Sequence, residues 1–261
     1  MSEEIGVLPE HLSASSIQTY IQCPLKFKLS RVDKIKEPPT MATLLGNFVH
    51  DVLEYFYASY QPEERTVISA RHACTHVWSE GNWADSVAPF LKKTPINDFR
   101  WSAWWCVENI FLLENPTLIA PSGIEYEVFG ELDGVLIKGF IDRWTENDGV
   151  VTITDYKTGK TPAAQYMSDK WFQLCLYALL LTELEGKQQF NLELLYLKDG
   201  VAKKHLPTAD DFANVRNTIT TTKKEIVNSY DNSQWPAIPS KLCNWCHYKS
   251  NICSYWNPKN E

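Results

Sequence analysis

GFIDRWTENDGVVTITDYKTGK, residues 139–160, reads as two strands joined by a turn. β-branched and aromatic residues crowd both halves, and Asn147-Asp148-Gly149 between them is a hairpin signal. Asp142 ends the first strand. Asp155 and Lys157 stand two apart on the second, hence on one side of it by the strand period of two. If the runs pair as a hairpin, Asp142 and Asp155 approach each other. Two carboxylates and a lysine on a rigid sheet suit divalent-metal-assisted phosphodiester hydrolysis. The acids offer hard oxygen ligands to Mg²⁺ or Mn²⁺. The ion acidifies a water and polarises the phosphoryl oxygen, while the lysine positions the water or offsets developing charge. Taken alone, an Asp-x-Lys pair is common, and a hairpin with exposed Asp and Lys at its ends is the plainer reading.

Working outward, IEYEVFGEL (124–132) precedes the pair as a third strand, with an Asp-Gly turn between, so a three-stranded meander is expected. SDKWFQLCLYALLLTELEG (168–186) reads as an amphipathic helix closed by Gly186, and FNLELLYL (190–197) as a further strand. On the N-terminal side, LSASSIQTYIQC (12–23) predicts a capped helix running into Cys23-Pro24. TMATLLGNFVHDVLEYFYASY (40–60) predicts another, with Leu44, Phe48, Val52 and Tyr55 on one face. Residues 66–115 read as mostly helical, and 207–230 as one long helix. Repeats, low-complexity stretches and linkers are absent from the sequence. One domain is expected: N-terminal helices (1–60), a helical insertion (61–118), a core (119–205), and a C-terminal helix with a cysteine cluster (206–261).

The 261 residues are 44% hydrophobic and 22% charged, ordinary globular values. No run reaches the roughly 20 apolar residues of a membrane span. The acidic N-terminus lacks a secretion or import signal, so cytoplasmic residence in a bacterial, archaeal or phage-infected cell is the expectation. Seven cysteines there suit metal binding and buried thiols better than disulfides. A net charge of −7 argues against a broad nucleic-acid-coating surface. It leaves room for local contacts such as the basic run KFKLSRVDKIK (26–36), which a solvated face explains equally well.

Company strengthens the hairpin's signal. GNFVHDVLE (46–54) sets His50 and Glu54 one helical turn apart, and QLCLY (173–177) does the same for Gln173 and Tyr177. In order, Gly46-x-x-x-His50, Gly139-x-x-Asp142-Arg143, Asp155-Tyr156-Lys157-Thr158-Gly159 and Gln173-x-x-x-Tyr177 resemble the RecB-type exonucleases of the PD-(D/E)XK superfamily. The resemblance spans most of the chain except the 61–118 insertion. It implies an α/β restriction-endonuclease-like core, a mixed central sheet flanked by helices. It also implies that His50, Asp142, Asp155 and the Tyr156 backbone carbonyl hold the catalytic metal. Lys157 would serve the attacking water, and Gln173 and Tyr177 would orient substrate. Singly, His50 fits a satisfied helix-face histidine and Tyr177 a core residue. Glu54 is a weak further candidate; Glu127 and Glu131 could help a second metal or simply be exposed strand acids.

CNWCHYKSNIC (243–253) supplies Cys243, Cys246 and Cys253, one thiolate short of a tetrahedral site. Spacing alone does not separate zinc from iron–sulfur, and His247 could stand in as a zinc ligand. The same resemblance supplies the fourth ligand. In its iron–sulfur branch, which includes AddB-type nuclease domains and the fourth CRISPR-associated protein family, a far-upstream cysteine joins a C-terminal triplet on a [4Fe–4S] cluster. Cys23, after the Ser-x-Ser helix, matches that position. The last gap is six residues where those proteins usually have five. Such a cluster would close the terminal region. Cys74, Cys106 and Cys175 fall in apolar helical stretches and read as buried thiols.

RWSAWWCVENIFLLENP (100–116) gathers Trp101, Trp104 and Trp105, with Trp78 and Trp83 upstream. These rings could stack on single-stranded bases, but packing within the helical insertion is the reading preferred. The resulting expectation is a metal-dependent exonuclease acting on DNA, preferring single strands or ends. The alternatives are a non-catalytic DNA-end-binding scaffold and a zinc-stapled regulatory protein. No Gly-x-x-x-x-Gly-Lys-Ser/Thr occurs, so a helicase partner would be a separate chain; CRISPR-adaptation proteins are the other partners expected.

Overall fold

The computed structural model describes residues 6–91, 95–163 and 167–257, leaving aside the side chains of 168 and 169. In chain order the helices are α1 (Ala14–Gln22), α2 (Pro24–Phe27), α3 (Met41–Ser59), α4 (Val67–Glu80), α5 (Trp83–Val87), α6 (Ile96–Glu108), α7 (Ile110–Leu113), α8 (Ser168–Glu185) and α9 (Ala209–Asp231). The strands are β1 (Pro121–Leu132), β2 (Val135–Asn147), β3 (Val150–Lys157), β4 (Gln189–Tyr196) and β5 (Val201–His205). They form one mixed five-stranded sheet in the order β1-β2-β3-β4-β5. Two-residue turns join the first three strands. Asp133 and Gly134 both have positive φ, as do Asp148 and Gly149, the conformation that a primed hairpin turn demands. β4 runs parallel to β3, and α8 supplies the crossover that such a pair needs. β5 returns antiparallel on β4 after Gly200. The sequence reading had no strand here, because VAKKH is too short and too basic to show a strand pattern.

Two compact units emerge. The first comprises residues 1–38, 129–139 and 209–261. In it Ser13 caps α1, accepting from the Ser16 backbone N–H, and Leu12 bridges to Ile137. α1 packs on α9, with the Tyr20 and Ser229 hydroxyls 2.8 Å apart. Tyr248, fully buried, donates its hydroxyl to the Ile35 carbonyl at 2.7 Å and so ties the C-terminal turns to the segment after α2.

The second unit, residues 39–128 and 140–208, holds the larger core. Thr40 caps α3 through a reciprocal pair with Thr43. Leu44, Phe48, Val49, Val52, Leu53, Phe56 and Tyr57 of α3 pack with Val107 and Ile110 and with Tyr156 and Leu195 of the sheet. The buried stripe follows Phe56 rather than Tyr55, which is only half-buried against it. α8 also departs from expectation. Leu174 to Leu181 are buried without interruption, so this helix is apolar all round rather than amphipathic.

Candidate active site

Strand register brings the acids together. Arg143 pairs with Thr154, and one step further along this antiparallel ladder sets Asp142 against Asp155. Both are buried. The Tyr156 backbone N–H donates to Asp142 Oδ2 at 2.7 Å. On the other side of the same residue, the Tyr156 carbonyl lies 3.0 Å from His50 Nε2 of α3. His50 Nδ1 is 3.6 Å from Asp142 Oδ2 and 3.7 Å from Glu125 Oε1 of β1. Among the described residues, His50, Glu125 and Asp142 form the group whose ligand atoms come within 4.8 Å of one another. Of the four metal ligands named from the sequence, His50, Asp142 and the Tyr156 carbonyl therefore converge. Asp155 sits beside them, engaged elsewhere.

Asp155 Oδ2 pairs with Lys157 Nζ at 2.6 Å, as the strand alternation requires. Gln173 Nε2 donates to Asp155 Oδ1 at 3.2 Å and to the Tyr177 hydroxyl at 3.3 Å. Gln173 thus holds Asp155, and Tyr177, one turn along α8, accepts from the same Gln173 amide. Tyr177 is itself buried.

Sequence reasoning missed Glu125. Glu127 and Glu131, which the sequence leaves as second-metal helpers or exposed strand acids, are both exposed. Glu125 has φ +42° inside a strand, a left-handed conformation that costs a non-glycine residue energy and is held only where surroundings enforce it. This kink turns the carboxylate toward His50. Nothing in the local pattern signals such a backbone. Glu54 lines a cavity of about 470 Å³ that also reaches Gly46, His50, Asp51 and Glu125.

Charge crowding sets the proton affinities. Burial alone would lower the His50 pKa, but the Glu125 carboxylate 3.7 Å away and the charges of Asp142 and Asp155 prevail and raise it to about 9. Asp142 is pushed up to about 7 by burial and then by Asp155, against the pull of His50, the Tyr156 N–H and Lys157. Lys157 is raised too: burial opposes its charge, and Asp155 more than restores it. A protonated His50 at neutral pH thus occupies the centre of three oxygen acceptors, the place where cationic charge is favoured. Carboxylates, a backbone carbonyl and an imidazole are the donor set of a small divalent ion, and they fit it here.

A second centre supports the first. Arg143 follows Asp142 and, by alternation, points to the other side of β2. It is 2% exposed, grips Glu114 with Nη1 at 2.5 Å and Nη2 at 2.6 Å, and lies over the rings of Tyr57 and Tyr156. The Tyr57 hydroxyl also donates to Glu114. The ring of Tyr156 is thereby fixed while its backbone serves the site.

A family model for the PD-(D/E)XK nuclease superfamily matches residues 11–254. The chain belongs to that superfamily. Membership implies a DNA substrate. Gene 69 protein of Mycobacterium phage D29 is 27% identical over 264 residues, covering 90% of this chain and 93% of that protein. One chain of an ATP-dependent helicase/nuclease from Lacticaseibacillus casei is 32% identical over 87 residues, which are 32% of this chain and 7% of that one. A Eubacterium rectale crystal structure, provisionally assigned as an exonuclease, superposes with a TM-score of 0.55 at 12% identity, covering 92% of this chain and 88% of that one. That likeness shows the fold.

Within this PD-(D/E)XK nuclease the cysteines fall in different surroundings. Cys23, Cys243, Cys246 and Cys253 all line one cavity of about 200 Å³ in the first unit. A backbone hydrogen bond from Ser240 lowers the Cys243 pKa, favouring thiolate. Cys106 and Cys175 are buried and Cys74 half-buried, and burial raises the thiols of Cys74 and Cys106 to about 12 and about 11. Among the described residues, no helix is long and apolar enough to cross a membrane.

Proposed function

We propose that this PD-(D/E)XK nuclease is a metal-dependent DNA exonuclease acting preferentially on single strands or free ends. The convergence of His50, Glu125 and Asp142 around the Tyr156 carbonyl carries this reading. Those groups would hold Mg²⁺ or Mn²⁺, with Asp155 completing the acidic wall. When bound, the ion supplies Lewis-acid polarisation of the scissile phosphoryl group. Lys157, kept cationic by Asp155, donates a hydrogen bond to the attacking water or a phosphoryl oxygen and offsets the charge that builds there. Water attacks phosphorus and releases a proton to solvent, the P–O bond to the leaving sugar oxygen breaks, and that oxygen takes up a proton from solvent in return. Gln173 holds Asp155 in place and Tyr177 accepts from Gln173; both would also orient the substrate, as the family resemblance implies.

The provisional assignment of the E. rectale protein supports exonuclease action. The helicase/nuclease likeness over 87 residues supports a role in recombination or repair beside a separate helicase, and the phage D29 relative supports a phage-encoded copy; CRISPR adaptation is a further setting. A family match spanning both units favours one nuclease domain over 1–261. The direct test is degradation of end-labelled single-stranded DNA with Mg²⁺ or Mn²⁺. Full activity in Asp155→Ala and Lys157→Ala would sink the assignment, and DNA-end binding without cleavage would favour the scaffold reading.

For the four cysteines we infer a [4Fe–4S] cluster. A zinc tetrahedron with Zn–S near 2.3 Å draws its thiolates to ~3.8 Å from one another. The four cysteines line one cavity, and a lone upstream cysteine with a C-terminal triplet is the pattern of the iron–sulfur branch that the chain resembles. A brown protein carrying iron and sulfide is expected; a colourless one carrying a single zinc would refute it.

A further inference from the structure

The helical insertion holds a groove of about 420 Å³ that catalysis by the acidic centre does not use. Trp78 of α4 and Trp101 and Trp104 of α6 wall it, Arg71 and Arg100 reach over it, and Phe48 of α3 forms its floor. The Arg71 guanidinium lies 4.5 Å from the Trp104 ring centre, and that of Arg100 lies 5.4 Å from the Trp78 ring centre. Among the described residues, no carboxylate lines this groove. In a chain of net charge −7 that makes it a local cationic and aromatic spot.

Packing explains only part of this arrangement. Trp78 and Trp104 rest against the core, as the sequence reading preferred. Trp101 does not: it is 67% exposed, on the groove wall. Trp105 is exposed as well, but its indole N–H donates to the Lys198 carbonyl at 3.2 Å, which accounts for its position. A flat aromatic wall with guanidinium groups above it fits a base stacked on indole, its phosphate paired with arginine.

The groove also lies in a useful place. Phe48 and His50 are two residues apart on α3, so they face nearly opposite sides of the helix. The helix is ~10 Å across, roughly three stacked nucleotides at ~3.4 Å each. Trp83 links the two regions, lining the acidic cavity beside His50 while packing edge-on to Phe48 at 5.1 Å.

We propose that the groove between α4 and α6 binds an unpaired nucleobase of the DNA strand, stacked on Trp101 with its phosphate on Arg71 and Arg100. This rests on the nuclease reading for its substrate class and deepens it, since a stacked base selects unpaired DNA over duplex. The full-length protein is titrated, without divalent ions, with a fluorescein-labelled oligothymidylate and with an abasic oligomer of the same length. Trp101→Ala is expected to weaken oligothymidylate binding about 10-fold while changing abasic binding by less than about twofold; Trp101→Phe restores most of the loss. Arg71→Glu with Arg100→Glu weakens both probes. Hydrolysis of bis(p-nitrophenyl) phosphate with Mn²⁺, a substrate too small to reach the groove, is unchanged in every variant. Equal oligothymidylate affinity in wild type and Trp101→Ala overturns the inference while leaving the nuclease reading intact, and a wild type that binds no oligothymidylate overturns it as well. Base-dependent binding lost in Trp101→Ala, without phosphodiester hydrolysis in the wild type, upholds it and refutes the nuclease reading instead.

Discussion

Glu125 offers a test in which backbone and chemistry separate. Its φ of +42° is costly for any residue with a Cβ and free for glycine. Removing the carboxylate by Glu125→Ala keeps the strain; removing it by Glu125→Gly relieves it. The two variants lose the same ligand, so their difference isolates the backbone. Glycine should be more stable than alanine by ~1 kcal/mol. At this chain length that is ~2–4 °C in Tm. Both should lose Mn²⁺ affinity together, read by calorimetric titration. A second readout follows from His50. The Glu125 carboxylate, 3.7 Å from Nδ1, is the largest influence holding its pKa up to about 9, so in both variants it falls toward the ordinary 6.5. A histidine with a raised folded pKa adds stability that is complete below about 6.5 and lost as pH climbs through its folded value. Metal-free wild type should therefore lose stability between about pH 6.5 and 9, and the variants should lose less of it. Equal melting temperatures for the alanine and glycine variants, or a His50 that still titrates near 9 in both, would refute the reasoning.

Glu114→Ala strands the buried Arg143 guanidinium and should cost about 3–5 kcal/mol in urea unfolding; a loss below ~1 kcal/mol would contradict the pairing. Lys157→Ala should lower kcat by roughly 10²–10³-fold, with Mn²⁺ affinity retained because the lysine is no ligand. Divalent-ion affinity should rise with pH through about 7 and again toward 9, as protons leave Asp142 and His50; an affinity flat across that window would show that neither proton is displaced. Cys253→Ala should depress Tm and remove any iron from the protein before it changes hydrolysis of a small phosphodiester; a well-folded, inactive Cys253→Ala protein would show that its role is chemical.

Much of the site was legible because it is built on the two strongest local periodicities. Asp155 and Lys157 share a strand face by alternation. Asp-Gly turns fix the hairpin register that sets Asp142 against Asp155. Gln173 and Tyr177 meet by helical spacing. What stayed hidden depends on backbone that breaks these periods or on partners far along the chain. Glu125 reaches His50 through a single left-handed residue in a strand. Glu114, 29 positions before Arg143, is bound to it only once the sheet has formed. β5 carries too few apolar residues to register as a strand and is defined by its pairing with β4. The all-round burial of α8 reflects neighbours on every side, a tertiary fact that a stripe of leucines does not disclose.

The distribution of these features follows from what the acidic centre costs. Asp142, buried beside Asp155, gains a proton well above the ordinary carboxylate range. Such a raised carboxyl adds stability only below its unfolded value and loses it as pH rises through about 7. At neutral pH the metal-free centre therefore weakens the fold that displays it. The compensation stands one residue away. Arg143, on the opposite side of β2, anchors Glu114 and two tyrosine rings, and one of those tyrosines lends its backbone N–H to Asp142 and its carbonyl to His50. Tyr156 is thus clamped by its ring and used by its peptide groups. That arrangement explains why aspartate and arginine adjoin on this strand: alternation sends one to the chemistry and the other to the core that holds it.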